Sequence, residues 1–518
     1  MEDYKEKDTI FALSTPYGKS AVAVIRLSGN SCLKVLRSLG YGGSIQPRAA
    51  KLITLKIPKD AVTTNHHNSQ LNDQFSKSEN NNYNNDSILD HAIVLYFKSP
   101  NSFTGQDMLE LHLHGSIAVI RDSITVLQKI PCLRMAQPGE FSRLAFSNGK
   151  FDLTKIEALA DLIDSETSIQ RQIATQQLSG QLQNLYNTWR DLLIETMALL
   201  EAYIDFPDDD IPVEILQQVS DNITSLTKQI QTSISISKSN TNITQGIPIV
   251  LAGQPNAGKS TLLNLLAQQD VAIVSDIAGT TRDVIKVKLD IGGFLVLVAD
   301  TAGINDNTKD TIELEGIKRS ISEVGRAFVV IWLIDLSDDI IKQLDLLYAT
   351  VIHSQNYLNI SHHLASNRLL ILLNKTDIKT QDQINQATEQ VKTSLQQFIA
   401  KSTNQEMDNN QKSVCSEIIK ILPFRSNEVS NLAVLLNSIT EILTETHTSP
   451  LEPIITNARQ LERLQDCLYF LQNFTLDKHL DMAAQDIRFA AESLSQLTGD
   501  IELDEILDKV FSSSCIGK

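Results

Sequence analysis

At 518 residues, the chain is long enough for about two to four domains, each with its own hydrophobic core. A formal net charge of −17 argues against a broad nucleic-acid-binding surface, and five scattered cysteines argue against a disulfide framework or a zinc site. No run of about 18 apolar residues occurs, and the acidic start of the chain lacks the apolar segment of a secretory signal. We therefore expect a cytoplasmic protein that does not enter the membrane.

The first 150 residues predict an α+β domain. Asp8–Gly29 has the pattern of two strands joined by a Pro/Gly turn, and Ser31–Leu39 that of a helix. Arg26 interrupts an apolar strand, and the pattern alone equally allows an arginine on an edge strand facing solvent. Residues 60–88 hold eight asparagines and few large apolar side chains, which predicts a disordered insertion.

The next strands carry polar side chains on one face. Asp90–Phe97 is a predicted strand, and Leu109–Gly115 alternates with period two. Glu110, His112 and His114 are therefore expected on the same face of the sheet. A His-x-His pair on a strand can bind a metal, but without a third ligand a polar sheet face is the commoner arrangement.

After this domain the apolar period changes to 3.6, which predicts the first part of a helical domain over residues 151–246. We expect a break near Gly180 and an acidic, Pro-flanked turn at Asp205–Pro212. A further helix is predicted from Val213 to Ser237, followed by a polar linker over Ser237–Gln245.

Residues 247–446 begin with the motif of a phosphate-binding loop. An apolar run from Ile247 leads into Gly253-Gln-Pro-Asn-Ala-Gly-Lys-Ser260, and a Leu-rich helical pattern follows. Glycines allow backbone N–H groups to face phosphate oxygens, and the helix N-terminus adds the positive end of its dipole. In this motif Lys259 reaches the β- and γ-phosphates and the Ser260 hydroxyl is a ligand of Mg²⁺.

Two further motifs predict that the nucleotide is GTP. Asp300-Thr-Ala-Gly303 follows the apolar run Phe294–Ala299, where a carboxylate can orient the magnesium shell and a glycine N–H can face the γ-phosphate. Asn374-Lys-Thr-Asp377 follows the apolar run Leu369–Leu373. The Asp377 carboxylate can accept from N1–H and the 2-amino group of guanine, whereas adenine has neither donor there.

The helical pattern resumes over residues 447–518. We expect helices before and after the nucleotide domain to pack together, which makes that domain an insertion into a helical bundle. The predicted fold class is α/β and multidomain: a P-loop GTPase domain inserted into an α-helical bundle, preceded by an α+β domain.

Taken together, these motifs resemble the MnmE (TrmE) family of tRNA modification GTPases over nearly the whole chain. The resemblance rests on Asp8-Thr-Ile through Arg26-Leu-Ser-Gly29, Phe103-Thr-Gly with Asp107-Met-Leu-Glu110-Leu, Pro138-Gly-Glu-Phe with Asn148-Gly-Lys-Phe-Asp-Leu, Asp205-Phe-Pro, the nucleotide motifs, Gly279-Thr-Thr-Arg-Asp283 and Cys515-Ile-Gly-Lys518. It implies a GTP hydrolase that helps to add a carboxymethylaminomethyl or aminomethyl group to C5 of the wobble uridine of tRNA. The one-carbon unit would come from 5-formyl- or 5,10-methylene-tetrahydrofolate, bound in a GcvT-like N-terminal domain that also dimerises. The homodimer would join an FAD-containing MnmG partner in a heterotetramer.

The resemblance also implies site residues. By position, Arg26, Glu110, Lys150 and Lys518 match the residues of the family that contact folate. Glu313 matches the catalytic glutamate, and Glu315, two positions on, is the competing candidate. Cys515 is a possible nucleophile, which depends on its thiolate character.

A potassium site is implied as well. Asn256 matches the potassium-ligating residue of the family, together with Ser275, Ile277 and Thr280. No arginine that could act in cis is evident, so K⁺ would stabilise transition-state charge and close a pair of GTPase domains on GTP. Thr281 would be a second Mg²⁺ ligand once GTP orders its loop. The full predicted nucleotide site, with Lys259 also counted as catalytic, comprises Asn256, Ala257, Gly258, Lys259, Ser260, Thr261, Ser275, Asp276, Ile277, Ala278, Gly279, Thr280, Thr281, Asp300, Thr301, Ala302, Gly303, Asn374, Lys375 and Asp377.

Two departures from the family pattern and two alternative functions stand beside this interpretation. Ser426-Asn-Glu428 occupies the place of a Ser-Ala-Lys loop over guanine, and Gln106 replaces an acidic residue in the folate loop. The first alternative is a GTPase switch, or binding module, in ribosome assembly without folate chemistry. The second is a folate-dependent one-carbon transferase that GTP only regulates.

Overall fold

The computed structural model describes residues 9–58, 87–205, 214–269, 271–273, 286–300, 323–353, 368–402, 420–425, 428–446 and 453–499. Contacts divide the chain into two compact units, one of residues 1–160, 183–191 and 491–518 and the other of residues 161–182 and 192–490.

The strands are β1 (Thr9–Leu13), β2 (Val22–Ser28), β3 (Lys51–Lys56), β4 (Ile88–Phe97), β5 (Met108–His114), β6 (Leu133–Met135), β7 (Ile247–Gly253), β8 (Lys286–Ile291), β9 (Phe294–Asp300), β10 (Val329–Asp335), β11 (Leu369–Asn374) and β12 (Lys420–Pro423). The helices are α1 (Cys32–Ser38), α2 (Ile117–Gln128), α3 (Glu140–Ser147), α4 (Leu153–Asp164), α5 (Ser168–Leu178), α6 (Gln181–Asp205), α7 (Glu214–Gln245), α8 (Lys259–Ala267), α9 (Ile340–His353), α10 (Gln381–Ser402), α11 (Val429–Thr446), α12 (Ala458–Asn473) and α13 (Leu480–Thr498), with a 3₁₀ turn at Thr376–Ile378.

The first unit contains a six-stranded sheet in the order β3-β4-β5-β2-β1-β6. Its neighbouring strands are antiparallel except β1 and β6. Strand β2 lies between β5 and β1, so Arg26 is in the interior of the sheet and the edge-strand alternative is wrong. One of the two partners of this strand, β5, comes from a distant segment, which is why a short apolar pattern did not reveal this position.

The second unit contains a six-stranded sheet in the order β12-β11-β10-β7-β9-β8, parallel except for the edge strand β8. The inner strands β7, β10 and β11 are almost wholly apolar and buried, as expected of parallel strands covered on both faces. The carboxyl ends of parallel strands meet at one edge of the sheet. The carboxyl ends of β7, β9, β10 and β11 therefore lie at the same edge of the sheet.

Two apolar layers cover this sheet. Alternate residues of each inner strand point to opposite faces, so the two layers share strands but not side chains. One layer includes Ile249, Leu251, Val296, Ile331, Leu333, Leu262, Leu266, Leu435 and Ile439, and brings α8 and α11 onto the sheet. The other includes Val250, Ala252, Val330, Trp332, Leu344, Leu347 and Val391, and brings α9 and α10 onto the opposite face.

The helices before and after the nucleotide domain pack together, as predicted, through α7 and α12. The predicted break at Gly180 is confirmed, because α5 ends at Leu178 and Gly180 has φ +92°. The predicted linker over Ser237–Gln245 is wrong, since α7 continues to Gln245. Ser237, Asn240 and Ile243 are buried, and the Asn240 side chain donates to the Ile236 carbonyl oxygen at 2.8 Å. Tertiary packing therefore keeps this polar stretch helical.

Several predictions fall on residues that the structure does not describe. These are most of the Asn-rich stretch of residues 60–88, the acidic turn after Asp205, and two of the three residues proposed to close over guanine, Ser426 and Asn427. Every helix among the described residues is too short or too polar to cross a lipid bilayer. The domain boundaries at residues 150, 246 and 446 remain predictions.

Candidate functional site

The loop between β7 and α8 has the backbone of a phosphate-binding loop. Gly253 has φ +142°, and a Cβ there would lie 2.6 Å from the carbonyl oxygen of Leu333 on the neighbouring strand. Gly258, at φ +99°, leaves room for the Asn374 amide, which a Cβ would approach to 2.2 Å. Asn256 also has positive φ, at +63°. The loop therefore needs glycine at both ends and curls tightly before α8 starts.

Lys259 is held inside this loop. It is 6% exposed, and its ammonium donates to the carbonyl oxygens of Gly253 at 3.1 Å and Gln254 at 2.8 Å. Burial lowers the pKa of Lys259, while the nearby Asp300 carboxylate acts in the opposite direction. An ammonium has three N–H donors, so one donor remains for a phosphate oxygen.

Ser260 and Asp300 form a pair suited to Mg²⁺. The Ser260 hydroxyl, in the first turn of α8, donates to Oδ2 of Asp300 at the end of β9 at 2.6 Å. The other carboxylate oxygen of Asp300 is buried and has no hydrogen-bond partner among the described residues. A hydroxyl, a carboxylate and phosphate oxygens are the hard donors that Mg²⁺ prefers. The residues present therefore fit a magnesium ion, which would neutralise phosphate charge.

The Asn-Lys-Thr-Asp segment after β11 is hydrogen-bonded to the phosphate-binding loop. Asn374 is buried, and its side-chain amide donates to the Ala257 carbonyl oxygen at 2.7 Å. Lys375 has φ +61°, and the Thr376 hydroxyl donates to the Phe424 carbonyl oxygen at 3.1 Å. Asp377 is exposed, so its carboxylate is accessible to a base. Sequence reasoning named each of these residues but did not anticipate the bond from Asn374 to the phosphate loop.

A second constellation lies on the sheet of the first unit. The Arg26 guanidinium contacts Oε1 of Glu110 at 3.0 Å across the β2–β5 pair, and His112 Nε2 lies 3.3 Å from Oε2 of the same carboxylate. Arg26 and Glu110 are 24% and 15% exposed, so this ion pair is partly desolvated. The structure therefore brings two of the four predicted folate residues into contact.

Aromatic rings and Lys150 complete the surroundings of this pair. The Phe103 ring centroid lies 5.6 Å from the Arg26 guanidinium carbon and 5.3 Å from the Phe151 ring centroid. A Cβ on Gly105 would lie 3.2 Å from Cε of Lys150, so that lysine stem passes over the loop that carries Phe103. The site thus combines two aromatic rings, tilted by 46° to each other, with a carboxylate and two cations.

Hydrogen bonds fix the same loop. Ser28 Oγ lies 2.7 Å from Thr104 Oγ1 and also donates to the Gln106 side-chain oxygen at 3.2 Å. The Asn148 side-chain amide donates to the Thr104 carbonyl oxygen at 2.7 Å. The amide at position 106 therefore serves as an acceptor inside the loop, where the family pattern has an acidic residue.

The two histidines of the His-x-His strand contact carboxylates of the same sheet. His114 bonds to Asp90 at 2.8 Å and His112 to Glu110, and no group of three or more His, Cys, Asp or Glu side chains within the part of the chain that the structure describes is placed to hold an ion. His112, Phe103 and Phe151 were not predicted as site residues, although the period-two pattern had already placed His112 beside Glu110.

The remaining predicted site residues lie outside the described residues. They are Ser275, Asp276, Ile277, Ala278, Gly279, Thr280, Thr281, Thr301, Ala302, Gly303, Glu313, Cys515 and Lys518, with the competing Glu315.

The parallel sheet, the glycine-bounded loop and the Asn-Lys-Thr-Asp segment define the chain as a P-loop protein of the GTPase class. The family model described as the MnmE helical domain matches residues 153–515, and that of the GTP-binding protein TrmE N-terminus matches residues 9–150. The chain therefore belongs to the MnmE family of tRNA modification GTPases.

Two relatives that match over the full length of the chain agree with this assignment. The tRNA modification GTPase MnmE of Rickettsia canadensis is 36% identical over 518 residues, covering 99% of this chain and 100% of the relative. That of Wolbachia sp. subsp. Drosophila simulans is 37% identical over 513 residues, covering 99% of each chain. Among solved structures, Aquifex aeolicus Era bound to GDP and aluminium fluoride is 20% identical, covering 44% of this chain and 67% of that chain, with a TM-score of 0.28.

Proposed function

We propose that this protein hydrolyses GTP in the modification of C5 of the wobble uridine of tRNA, with a tetrahydrofolate derivative as the one-carbon donor and an FAD-containing MnmG-type protein as its partner. Family membership over nearly the full chain supports the GTP hydrolase and its place in tRNA modification. The observation that carries the folate step is the partly buried Arg26–Glu110 pair beside an aromatic surface.

In the proposed nucleotide site, side chains and backbone N–H groups of this chain would position GTP and neutralise part of its phosphate charge. We expect the N–H groups of the glycine-bounded loop and the remaining donor of Lys259 to bind phosphate oxygens, and Ser260 with Asp300 to hold Mg²⁺. The ion supplies charge neutralisation at the β- and γ-phosphates. Asp377 accepts from the guanine edge, which selects GTP over ATP.

Hydrolysis needs a group that orients the attacking water. Ile304 follows the Asp300–Gly303 motif, where many regulatory GTPases carry a glutamine, so another group has to orient the water. Glu313 is the proposed residue, because it matches the catalytic glutamate of the family. Asn256, with Ser275, Ile277 and Thr280, is proposed to ligate K⁺ between paired GTPase domains of a homodimer, as the family resemblance implies. Equal rates of GTP turnover in K⁺ and Na⁺ would contradict this role for Asn256.

In the folate site, the chemistry of the residues matches a pterin–glutamate ligand. A carboxylate can accept two hydrogen bonds from a pterin ring, aromatic faces can stack on it, and cations can pair with the glutamate tail. Arg26, Glu110 and Lys150 provide these groups, and Lys518 is proposed to join them. The arrangement supports a folate-binding N-terminal domain rather than a docking platform alone.

Mass spectrometry of wobble nucleosides tests the function directly. A strain lacking this protein should lose the C5 modification, and the wild-type chain should restore it. Glu110→Gln and Lys259→Ala should each fail to restore it, because they disable different sites. Asp122→Asn, at a half-exposed carboxylate on α2 of the first unit, is the matched control and should restore it. Unchanged nucleosides in the deletion strain would contradict the proposal.

Binding of 5-formyltetrahydrofolate separates the folate step from GTP hydrolysis. Glu110→Gln should weaken binding in equilibrium dialysis by about 10- to 100-fold, the range for losing charged hydrogen bonds. GTP turnover should remain, because Glu110 lies in the other compact unit. Retention of folate by Glu110→Gln equal to that of Asp122→Asn would rule out the assigned pocket.

A further inference from the structure

Asp335 is a nearly buried carboxylate at the end of β10 that the GTPase motifs do not include. It is 8% exposed, and its Oδ2 lies 2.5 Å from Nζ of Lys375. In the sheet, Asp335 pairs with Asn374 in parallel register, so its side chain stands beside the start of the Asn-Lys-Thr-Asp segment. Its partner Lys375 directly follows the asparagine that is bonded to the phosphate loop.

Hydrogen bonds fix both the backbone groups and the Oδ1 atom of Asp335. Gln343 of α9, which is 1% exposed, accepts from the Asp335 N–H and donates to its carbonyl oxygen, both at 2.8 Å. Ser337 donates to Oδ1 from its backbone N–H at 2.8 Å and from its hydroxyl at 2.6 Å. With the backbone and Oδ1 fixed, the remaining lone pairs of Oδ2 face Lys375.

Lys375 combines an unusual backbone conformation with a partly exposed side chain. Its φ of +61° is unusual for a residue with a side chain, so the local structure has to compensate for the strain. The lysine side chain is 40% exposed and would otherwise sample many rotamers. The bond to Asp335 fixes the ammonium, and a fixed ammonium also limits the conformations of the apolar stem.

We propose that Asp335 is a positioning residue for the guanine site: it anchors the Lys375 ammonium so that the lysine stem is already arranged to pack against the base. This inference rests on the proposed guanine site at Asn374–Asp377. Burial of Asp335 acts to raise its pKa, but hydrogen bonds from Lys375 and Ser337 outweigh burial and lower the pKa. The carboxylate is therefore charged at neutral pH, as an anchor for an ammonium must be.

A double-mutant cycle on the full-length chain tests the proposal with fluorescent GDP as the probe. Asp335→Asn should weaken GDP binding by about fivefold to tenfold, a modest loss because Lys375 is half-exposed. In a Lys375→Ala background the same substitution should change affinity less than about twofold, because the partner is gone. In steady-state GTP hydrolysis, the rise in KM should exceed any fall in kcat, since the base lies away from the cleaved bond.

The matched control is Asp338→Asn, an exposed carboxylate in the same loop whose substitution changes the net charge equally. It should bind GDP like the wild type. Equal losses from Asp335→Asn in both backgrounds, or no loss with Lys375 intact, would overturn the anchor. If Lys375→Ala alone leaves GDP affinity unchanged, the guanine site itself is misassigned, which is a separate failure.

A second variant covers the case in which Asp335→Asn does not fold, as judged by circular dichroism and the thermal midpoint without nucleotide. Asp335→Glu keeps the charge but moves it by one methylene. It should weaken GDP binding by a smaller factor than loss of the charge, and that loss should again disappear in the Lys375→Ala background. A loss that persists in that background would contradict the proposal.

Discussion

At the scale of single residues, Asn374 connects the base end of the nucleotide site to the phosphate loop by one buried hydrogen bond to Ala257. Asn374→Ala should leave that carbonyl oxygen without its partner, at a cost of about 1–3 kcal/mol. We expect GDP affinity to fall by about tenfold or more in a fluorescence titration. Asn385→Ala, at an exposed position of α10, is the control. Equal affinities for the two variants would show that the bond does not hold the loop.

Two buried thiols give a prediction about pH. Burial raises the pKa of Cys32 to about 12, and burial also raises the pKa of Cys467 strongly. Thiolate is the reactive form, so both cysteines should resist iodoacetamide at pH 8 in the folded chain and react in denaturant, as measured by peptide mass spectrometry. Because these folded-state pKa values are raised, their contribution to stability is present below about pH 9 and is lost as the pH rises toward 12. Rapid native alkylation of Cys32 would contradict this.

The sequence predicted the chemistry of individual residues better than their partners. Lys259, Ser260 and Asp300 were assigned from motif spacing, and the structure brings the serine and the aspartate within 2.6 Å. Asp335 and Lys375 lie 40 positions apart, and the pair forms only because β10 and β11 align in parallel register. No short pattern encodes that alignment, so their contact could be seen only in the folded chain.

At the scale of elements, the start of α5 is joined to the β8–β9 hairpin by a hydrogen bond and an ion pair. The Ile169 N–H donates to the Gly293 carbonyl oxygen, and Lys288 on β8 contacts both carboxylate oxygens of Glu166 at 2.7 and 2.8 Å. Strand β9 ends at Asp300, the proposed Mg²⁺ residue. The helical segment before the nucleotide domain therefore supports a strand that enters the nucleotide site.

The side chain of Gln170 caps the start of α5, and its contribution to stability can be measured. Its side-chain oxygen accepts from the backbone N–H groups of Glu166 and Thr167, and its amide donates to the Thr244 carbonyl oxygen at 2.8 Å. Gln170→Ala should lower the stability of the second unit by about 1–3 kcal/mol, because buried backbone groups lose their partners. Urea unfolding monitored by circular dichroism measures the change. Gln172→Ala, exposed on the same helix, should be neutral, and an equal effect would argue against the cap.

Sequence patterns located most elements but misjudged where one of them ends. The apolar runs around the phosphate loop predicted β7, β9 and β11 because buried parallel strands carry a continuous apolar signal. Helix α7 instead runs through a Ser- and Asn-rich stretch that favours turns in isolation. Its buried Ser237 accepts from the Ile455 N–H at 3.1 Å, a contact with a segment more than two hundred residues away in the chain. Such distant partners override local propensity, which is why the linker was predicted wrongly.

At the scale of the whole molecule, domain order followed from motif order, because each motif belongs to one fold. The proposed homodimer and MnmG-type partner rest on the family resemblance instead, since no motif marks the surfaces that would bind them. The chain has 62 acidic and 45 basic residues, so its average field repels an RNA backbone. A protein that acts on tRNA with this charge is expected to grip its substrate mainly through a partner.

The salt dependence of tRNA binding tests that expectation. Each phosphate that a protein neutralises contributes a slope of about −0.7 to −0.9 to a plot of log affinity against log salt concentration. For this chain alone we expect weak binding with a slope no steeper than about −2, which corresponds to two or three phosphates. Adding the proposed MnmG-type partner should tighten binding and steepen the slope, because cations on that partner would then release counterions. Filter binding at several salt concentrations measures both. A steep slope for this chain alone would mean that it binds tRNA through a local basic surface of its own, despite the net charge of −17.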